Sequence, residues 1–183
     1  MTGDQRQGGV LKPTPESLVF DEVYAEHFAF VWRCLRSLGV PPGALDDAAQ
    51  DVFVIVHRQL AGFRGESSLQ TWLFGITRKV AFNHRRSVDR KQVPLVPLDD
   101  EHVQSAGPDP SEHAQDREAA SFVEGFMGTL DEDRRELFLL AVLEEMSIPE
   151  VAAALEIPLN TAYTRLRRLR ADFQRALATR GAA

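Results

Sequence analysis

The chain has 183 residues, 44% of them apolar, with 21 Lys+Arg against 27 Asp+Glu and a formal net charge of −6. That length holds one ordinary domain or two small ones, and no apolar run approaches the roughly 20 residues needed to span a bilayer. One cysteine, Cys34, excludes an internal disulfide and fits a reducing compartment, so a cytoplasmic protein without membrane insertion is expected.

Residues 1–17 are polar, lack periodicity and have no signal-peptide core, so they read as a disordered leader. From Phe20 the pattern turns helical: Phe20, Val23, Tyr24, His27, Phe28, Val31, Leu35 and Leu38 share one face, and Gly39 with Pro41-Pro42-Gly43 ends the helix. His27 and His57 lie within or beside apolar faces, without metal-ligand spacing to Cys34, and read as packing residues. A second helix is expected over 44–60, burying Leu45, Ala49, Val52, Phe53, Val56 and Leu60. Asp47, Gln50 and Asp51 fall off that stripe, and solvated acids such as Asp47 and Asp51 are mildly favoured near a helix N-terminus.

The two-glycine loop Gly62-Phe63-Arg64-Gly65-Glu66 leads to Ser67-Ser68-Leu69-Gln70, a Ser-x-x-Gln start signal. The helix it opens should bury Leu69, Trp72, Leu73, Ile76 and Val80. Its other side carries Phe74, Arg78, Phe82 and Arg85, flanked by Lys79 and Arg86. Aromatic and basic groups in one stripe stack bases and hold phosphates, although aromatics at that spacing also pack on a neighbouring helix.

Residues 92–118 change character, with Val93-Pro94-Leu95-Val96-Pro97, the run Asp99-Asp100-Glu101, and one basic residue against seven acidic. They read as a flexible acidic linker between units at 18–91 and 119–183. The flanking units are near neutral, so the global charge does not argue against a nucleic-acid partner.

Helical order returns with Ala119, Phe122, Val123, Phe126, Met127 and Leu130, and Asp131 can cap the helix that carries Leu137 to Leu143. Ser147 to Arg170 then reads as a helix-turn-helix. Ser147 and Glu150 have capping-box spacing, and Pro149 sits in the first turn. Ile157-Pro158 closes that helix. Asn160 caps a second, on which Ala162, Leu166, Leu169 and Phe173 form the buried stripe. The opposite side carries Asn160, Thr161, Thr164, Arg167 and Arg168, groups that bind phosphates and base edges. The whole is an all-α protein of two small helical domains. No phosphate loop, metal-ligand spacing or Ser/His/Asp arrangement is present, so neither an enzyme, a cofactor nor a metal is expected.

Four stretches, Asp46 to Phe53, Phe63 to Leu73, Leu130 to Phe138 and Ser147 to Arg170, together resemble bacterial RNA polymerase sigma factors of the extracytoplasmic-function class. The resemblance implies that Asp47, Gln50 and Asp51 contact core RNA polymerase. It implies that Arg64, Ser67, Trp72, Phe74, Arg78, Lys79, Phe82 and Arg85 capture and hold the melted −10 strand of promoter DNA. It assigns Asn160, Thr161, Thr164, Arg165, Arg167 and Arg168 to the −35 element, and implies an anti-sigma partner. In such proteins the linker follows the polymerase channels toward the RNA exit.

The chain departs from the family pattern in three places. Lys79 stands where many relatives have an asparagine, favouring phosphate contact, and Glu156 replaces a frequent turn glycine. Asn160 and Tyr163 replace the common glycine and basic residue opening the reading helix, which implies an unusual −35 sequence. Two rival readings are a helix-turn-helix regulator acting without polymerase and a sigma-like interaction protein in a partner switch.

Overall fold

The computed structural model describes residues 18–90 and 110–181. The expected leader and residues 92–109 of the expected linker lie outside the described residues. Seven α-helices account for most of the rest: α1 (Phe20–Ser37), α2 (Leu45–Gln59), α3 (Leu69–Arg90), α4 (Pro110–Gly128), α5 (Glu132–Phe138), α6 (Ile148–Ala154) and α7 (Leu159–Gly181). Among the described residues there is no strand, and no helix is long and apolar enough to cross a membrane.

In the first unit, α1, α2 and α3 pack against one another. The expected α2 stripe, Leu45, Ala49, Val52, Phe53, Val56 and Leu60, is buried in full, with Ala48 added. On α1 the core side is Val23, Phe30, Val31, Cys34 and Leu35. Tyr24 is exposed instead, although its ring lies 4.6 Å from that of Phe53. His27 is half-buried, which lowers its pKa and favours the neutral ring, and His57 packs edge-on to Phe20 at 4.9 Å. Burial pushes the Cys34 thiol well up, away from its reactive form.

The second unit begins earlier than expected. Helix α4 starts at Pro110, so nine residues assigned to the linker are helical. Proline breaks a helix interior, but at the first position its missing N–H is lost to no bond, and Pro110 fits that role. An aromatic cluster of Phe122, Phe126, Phe138 and Phe173 ties α4, α5 and α7 together, with ring centroids 5.0–5.8 Å apart. Asp131 caps α5 as expected, accepting from the Arg134 N–H at 2.9 Å.

After α5 the chain makes a π-helical turn, Leu139–Leu143, closed by the Glu144 N–H donating to the Leu139 carbonyl at 2.9 Å. Glu145 follows with φ +52°. The buried side chains of both units form one continuous cluster, and α6 packs on α3.

Candidate nucleic-acid interface

The capping box of α6 is formed: the Glu150 carboxylate accepts from the Ser147 N–H at 3.0 Å and from its hydroxyl at 2.6 Å. The turn to α7 keeps the geometry for which a glycine is usual, with Glu156 itself at φ +55°. Helix α7 then buries Ala162, Leu166 and Leu169 and half-buries Phe173, the expected stripe.

Asn160 is not the cap. The helix starts one residue earlier, and the Pro158 carbonyl accepts the first backbone bond, from Ala162 at 3.1 Å. Asn160 therefore sits in the first helical turn with an exposed side chain. Thr164, Arg167 and Arg168 are exposed beside it, and Thr161 is half-buried. Arg165 is exposed but paired with Asp133 at 3.2 Å. Leu159 and Tyr163, one turn apart on the same face, are 43% and 52% exposed, a large apolar contribution to an otherwise basic and polar surface.

The start of α3 also differs by one residue. Ser68, not Ser67, caps the helix: its hydroxyl accepts from the Thr71 N–H at 3.3 Å and meets the Thr71 hydroxyl at 2.9 Å. Ser67 is thereby left in the loop, where it lines a cavity of about 270 Å³ together with Gly62, Phe63, Arg64, Glu66 and Trp72. The Trp72 ring is half-buried and lies 5.2 Å from that of Phe63. Gly65 takes φ +68° in this loop, a conformation that costs a residue with a Cβ about 1–2 kcal/mol. Gly62, Phe63 and Glu66 were not among the expected site residues; the two-glycine loop was the signal that marked them.

Phe74 requires a correction. Its side chain is 0% exposed, in the core, and cannot stack on a base. Thr77 and Ala81 are buried too, because α3 packs against α1, α2 and α6 and is covered over more than one stripe. Phe82 is 49% exposed with the Arg86 guanidinium 5.4 Å above its ring, so it keeps the aromatic and basic character expected of the face. Lys79 is exposed. Arg78 and Arg85 lie on this side but are engaged by the second unit: Arg78 Nε donates to Glu136 at 2.9 Å, and Arg85 Nη2 to Glu132 at 2.6 Å.

On α2, Asp47, Gln50 and Asp51 are all exposed. The Asp51 carboxylate meets His84 Nε2 of α3 at 2.8 Å, which fixes one end of the acidic cluster to the basic helix. No group of three or more metal-ligating side chains is present among the described residues.

These features define a class: a two-unit helical protein with an aromatic and basic helix in one unit and a helix-turn-helix in the other. Comparison with known proteins gives the family. Residues 23–91 match the profile of Sigma-70 region 2, and residues 123–173 that of Sigma-70 region 4. The ECF RNA polymerase sigma-E factor of Escherichia coli K12 is 29% identical over 143 residues, covering 74% of this chain and 75% of its own. RNA polymerase sigma factor CnrH of Cupriavidus metallidurans is 28% identical over 168 residues, 86% of each chain.

Among solved structures, CnrH in complex with the cytosolic domain of CnrY superposes with a TM-score of 0.62 at 26% identity, over 87% of this chain and 88% of that one. The sigma factor RpoE of Bartonella quintana, in complex with the anti-sigma factor NepR, gives 0.64 at 21% identity, over 87% and 96%, a likeness of fold. The chain belongs to the sigma-70 family, as a sigma factor of the extracytoplasmic-function class that directs transcription initiation.

Proposed function

We propose that this chain is a cytoplasmic promoter-specificity subunit that catalyses no reaction itself and works by joining core RNA polymerase to promoter DNA. In this reading the exposed polar residues of α2, the acids Asp47 and Asp51 with Gln50, bind the polymerase. The cavity bounded by Arg64, Ser67 and Trp72 receives one unstacked base, and Lys79, Phe82, Arg78 and Arg85 hold the melted strand. Asn160, Thr161, Thr164, Arg165, Arg167 and Arg168 meet the −35 duplex. Residues 18–90 would thus serve the polymerase and the −10 element, and residues 110–181 the −35 element.

The cavity carries the proposal. Its volume of about 270 Å³ admits a single nucleobase, and its wall offers an aromatic ring, a hydroxyl and a guanidinium. Together these can cover a base face and bond its edge, offsetting the few kcal/mol that unstacking costs. Tethering adds the rest: once polymerase holds the chain, each weak DNA contact becomes intramolecular. An anti-sigma partner is supported by the complexes in which these sigma factors were solved, CnrH with the cytosolic domain of CnrY and RpoE with the anti-sigma factor NepR.

Gel filtration with core polymerase tests the reading. The wild type co-elutes, and Asp47→Ala/Gln50→Ala elutes separately. Failure of the wild type to bind, with tight binding of duplex DNA by the free chain, would establish a stand-alone regulator instead.

A further inference from the structure

The outer face of α7 holds some of its hydrogen-bonding groups back. Thr164 Oγ1 donates to the Asn160 carbonyl one turn earlier, at 2.8 Å, so its hydroxyl proton is committed to the helix backbone. Arg165 Nη1 is held by Asp133 at 3.2 Å, and Thr161 is half-buried. Of the residues assigned to the −35 element, Asn160, Arg167 and Arg168 remain exposed and, among the described residues, without a side-chain hydrogen bond or ion pair.

Beside them lie Leu159 and Tyr163, four positions apart and so one above the other on the helix, both exposed. Neither belongs to the core cluster, and among the described residues Tyr163 has no ring or hydrogen-bond partner. One turn further along the same ridge is Arg167, and no acid occurs between Asn160 and Ala171. The apolar pair is thus set into a wholly cationic face, which suits a polyanion that carries apolar spots. Phosphates take the guanidinium groups, and polar base edges take amide and guanidinium donors. In the major groove of B-DNA, the group left for an apolar side chain is the 5-methyl of thymine.

We propose that Leu159 and Tyr163 are specificity-determining residues that read thymine: the Tyr163 ring and the Leu159 side chain close on the 5-methyl groups of one or two adjacent thymines of the −35 element. This rests on the assignment of α7 to the −35 duplex and adds the base feature that its first turns select. A basic side chain at position 163 would offer donors to guanine O6 and N7, whereas a phenol ring offers apolar surface to a methyl group. The departure at Tyr163 therefore changes which base is preferred.

Deoxyuridine tests this, because it lacks the thymine methyl and keeps every hydrogen-bonding group. Holoenzyme assembled from core polymerase and the full-length chain first selects its −35 sequence from a promoter library randomised at that element. Each thymine of the selected sequence, on either strand, is then replaced singly by deoxyuridine. At one or two adjacent positions the wild type should lose about fourfold in affinity per methyl, as expected for one buried group of that size. Leu159→Ala/Tyr163→Ala should bind the thymine and deoxyuridine duplexes equally. Tyr163→Phe should keep the full discrimination, since the ring and not the hydroxyl makes the contact. The deoxyuridine comparison on wild type needs no variant, so it stands whatever the substitutions do to folding.

The proposal is overturned if the selected sequence holds no thymine, if no deoxyuridine lowers wild-type affinity, or if the double-alanine variant still discriminates. In each case the −35 assignment survives. Loss of co-elution of that variant with core polymerase, with deoxyuridine without effect, would also overturn it and give the pair to the polymerase surface. Selection of no sequence at the randomised element would refute the −35 assignment itself.

Discussion

Asp51 of α2 and His84 of α3 meet at 2.8 Å, so the acidic cluster proposed to bind the polymerase and the basic helix proposed to hold the strand share a contact. Both ends are partly solvated, and exposed pairs of this kind contribute about 0–1 kcal/mol, so the contact orients more than it stabilises. His84→Ala should leave the thermal midpoint within about 2–4 °C of wild type while weakening association with core polymerase less than Asp47→Ala does. A competition assay against labelled wild-type chain reads the difference. Equal losses for the two variants would make His84 a contact in its own right.

The two phenylalanines of α3 should separate stability from strand binding. Phe74→Ala empties a fully buried site and should cost about 3–5 kcal/mol in urea unfolding. Phe82→Ala should leave stability within about 1 kcal/mol, since its ring is half exposed, yet weaken fork-junction binding by holoenzyme by about 1–3 kcal/mol.

Glu156 holds a left-handed conformation that its Cβ disfavours. Glu156→Gly should remove about 1–2 kcal/mol of local strain and return about 0.5–1 kcal/mol of it as unfolded-chain entropy, for a net gain of about 1 kcal/mol in denaturant melts. An unchanged or lower stability would mean that the Glu156 side chain contributes a compensating contact.

Glu136 gives the stability a defined pH dependence. It is buried against Arg78, with Glu132 and Asp133 also acting on it, and desolvation raises its pKa above the ordinary 4.5. The folded chain therefore holds this proton over a window in which the unfolded chain has released it. Its contribution is present below 4.5 and is lost as pH rises through the higher folded value. Glu136→Gln should remove that component. Urea midpoints measured upward from pH 4.5 should fall less steeply in the variant, and at neutral pH the variant should be at least as stable as wild type. Arg78→Ala, which leaves the carboxylate without its cation, should be destabilising at neutral pH.

Much of the fold was legible because the helices bury single stripes. The spacing of Leu45, Ala49, Val52, Phe53, Val56 and Leu60 carries all the information that α2 needs. The same holds for Ala162, Leu166 and Leu169. Phe74 was not legible because periodicity names a face without counting the helices that cover it, and α3 has three packed neighbours. Pro110 was misjudged because proline marks both a linker and a helix start. Ser67 and Ser68 are chemically equivalent caps, and the capping geometry alone selects the second. The pairs from Arg78 and Arg85 to α5 join residues 58 and 47 positions apart, beyond the reach of any local pattern.

The π-helical turn at Leu139–Leu143 closes on a bond five residues back rather than four. In register this equals one inserted residue, and one residue of helix is about 100° of rotation. The turn therefore sets where the chain leaves this helix, placing Glu144 against Arg33 and starting the path that leads to α6 and α7. Substitutions along α7 alter the groups its surface presents. A one-residue deletion in the turn would redirect the chain that carries that surface, so among variants of this chain, changes of length here should have consequences that no change of side chain reproduces.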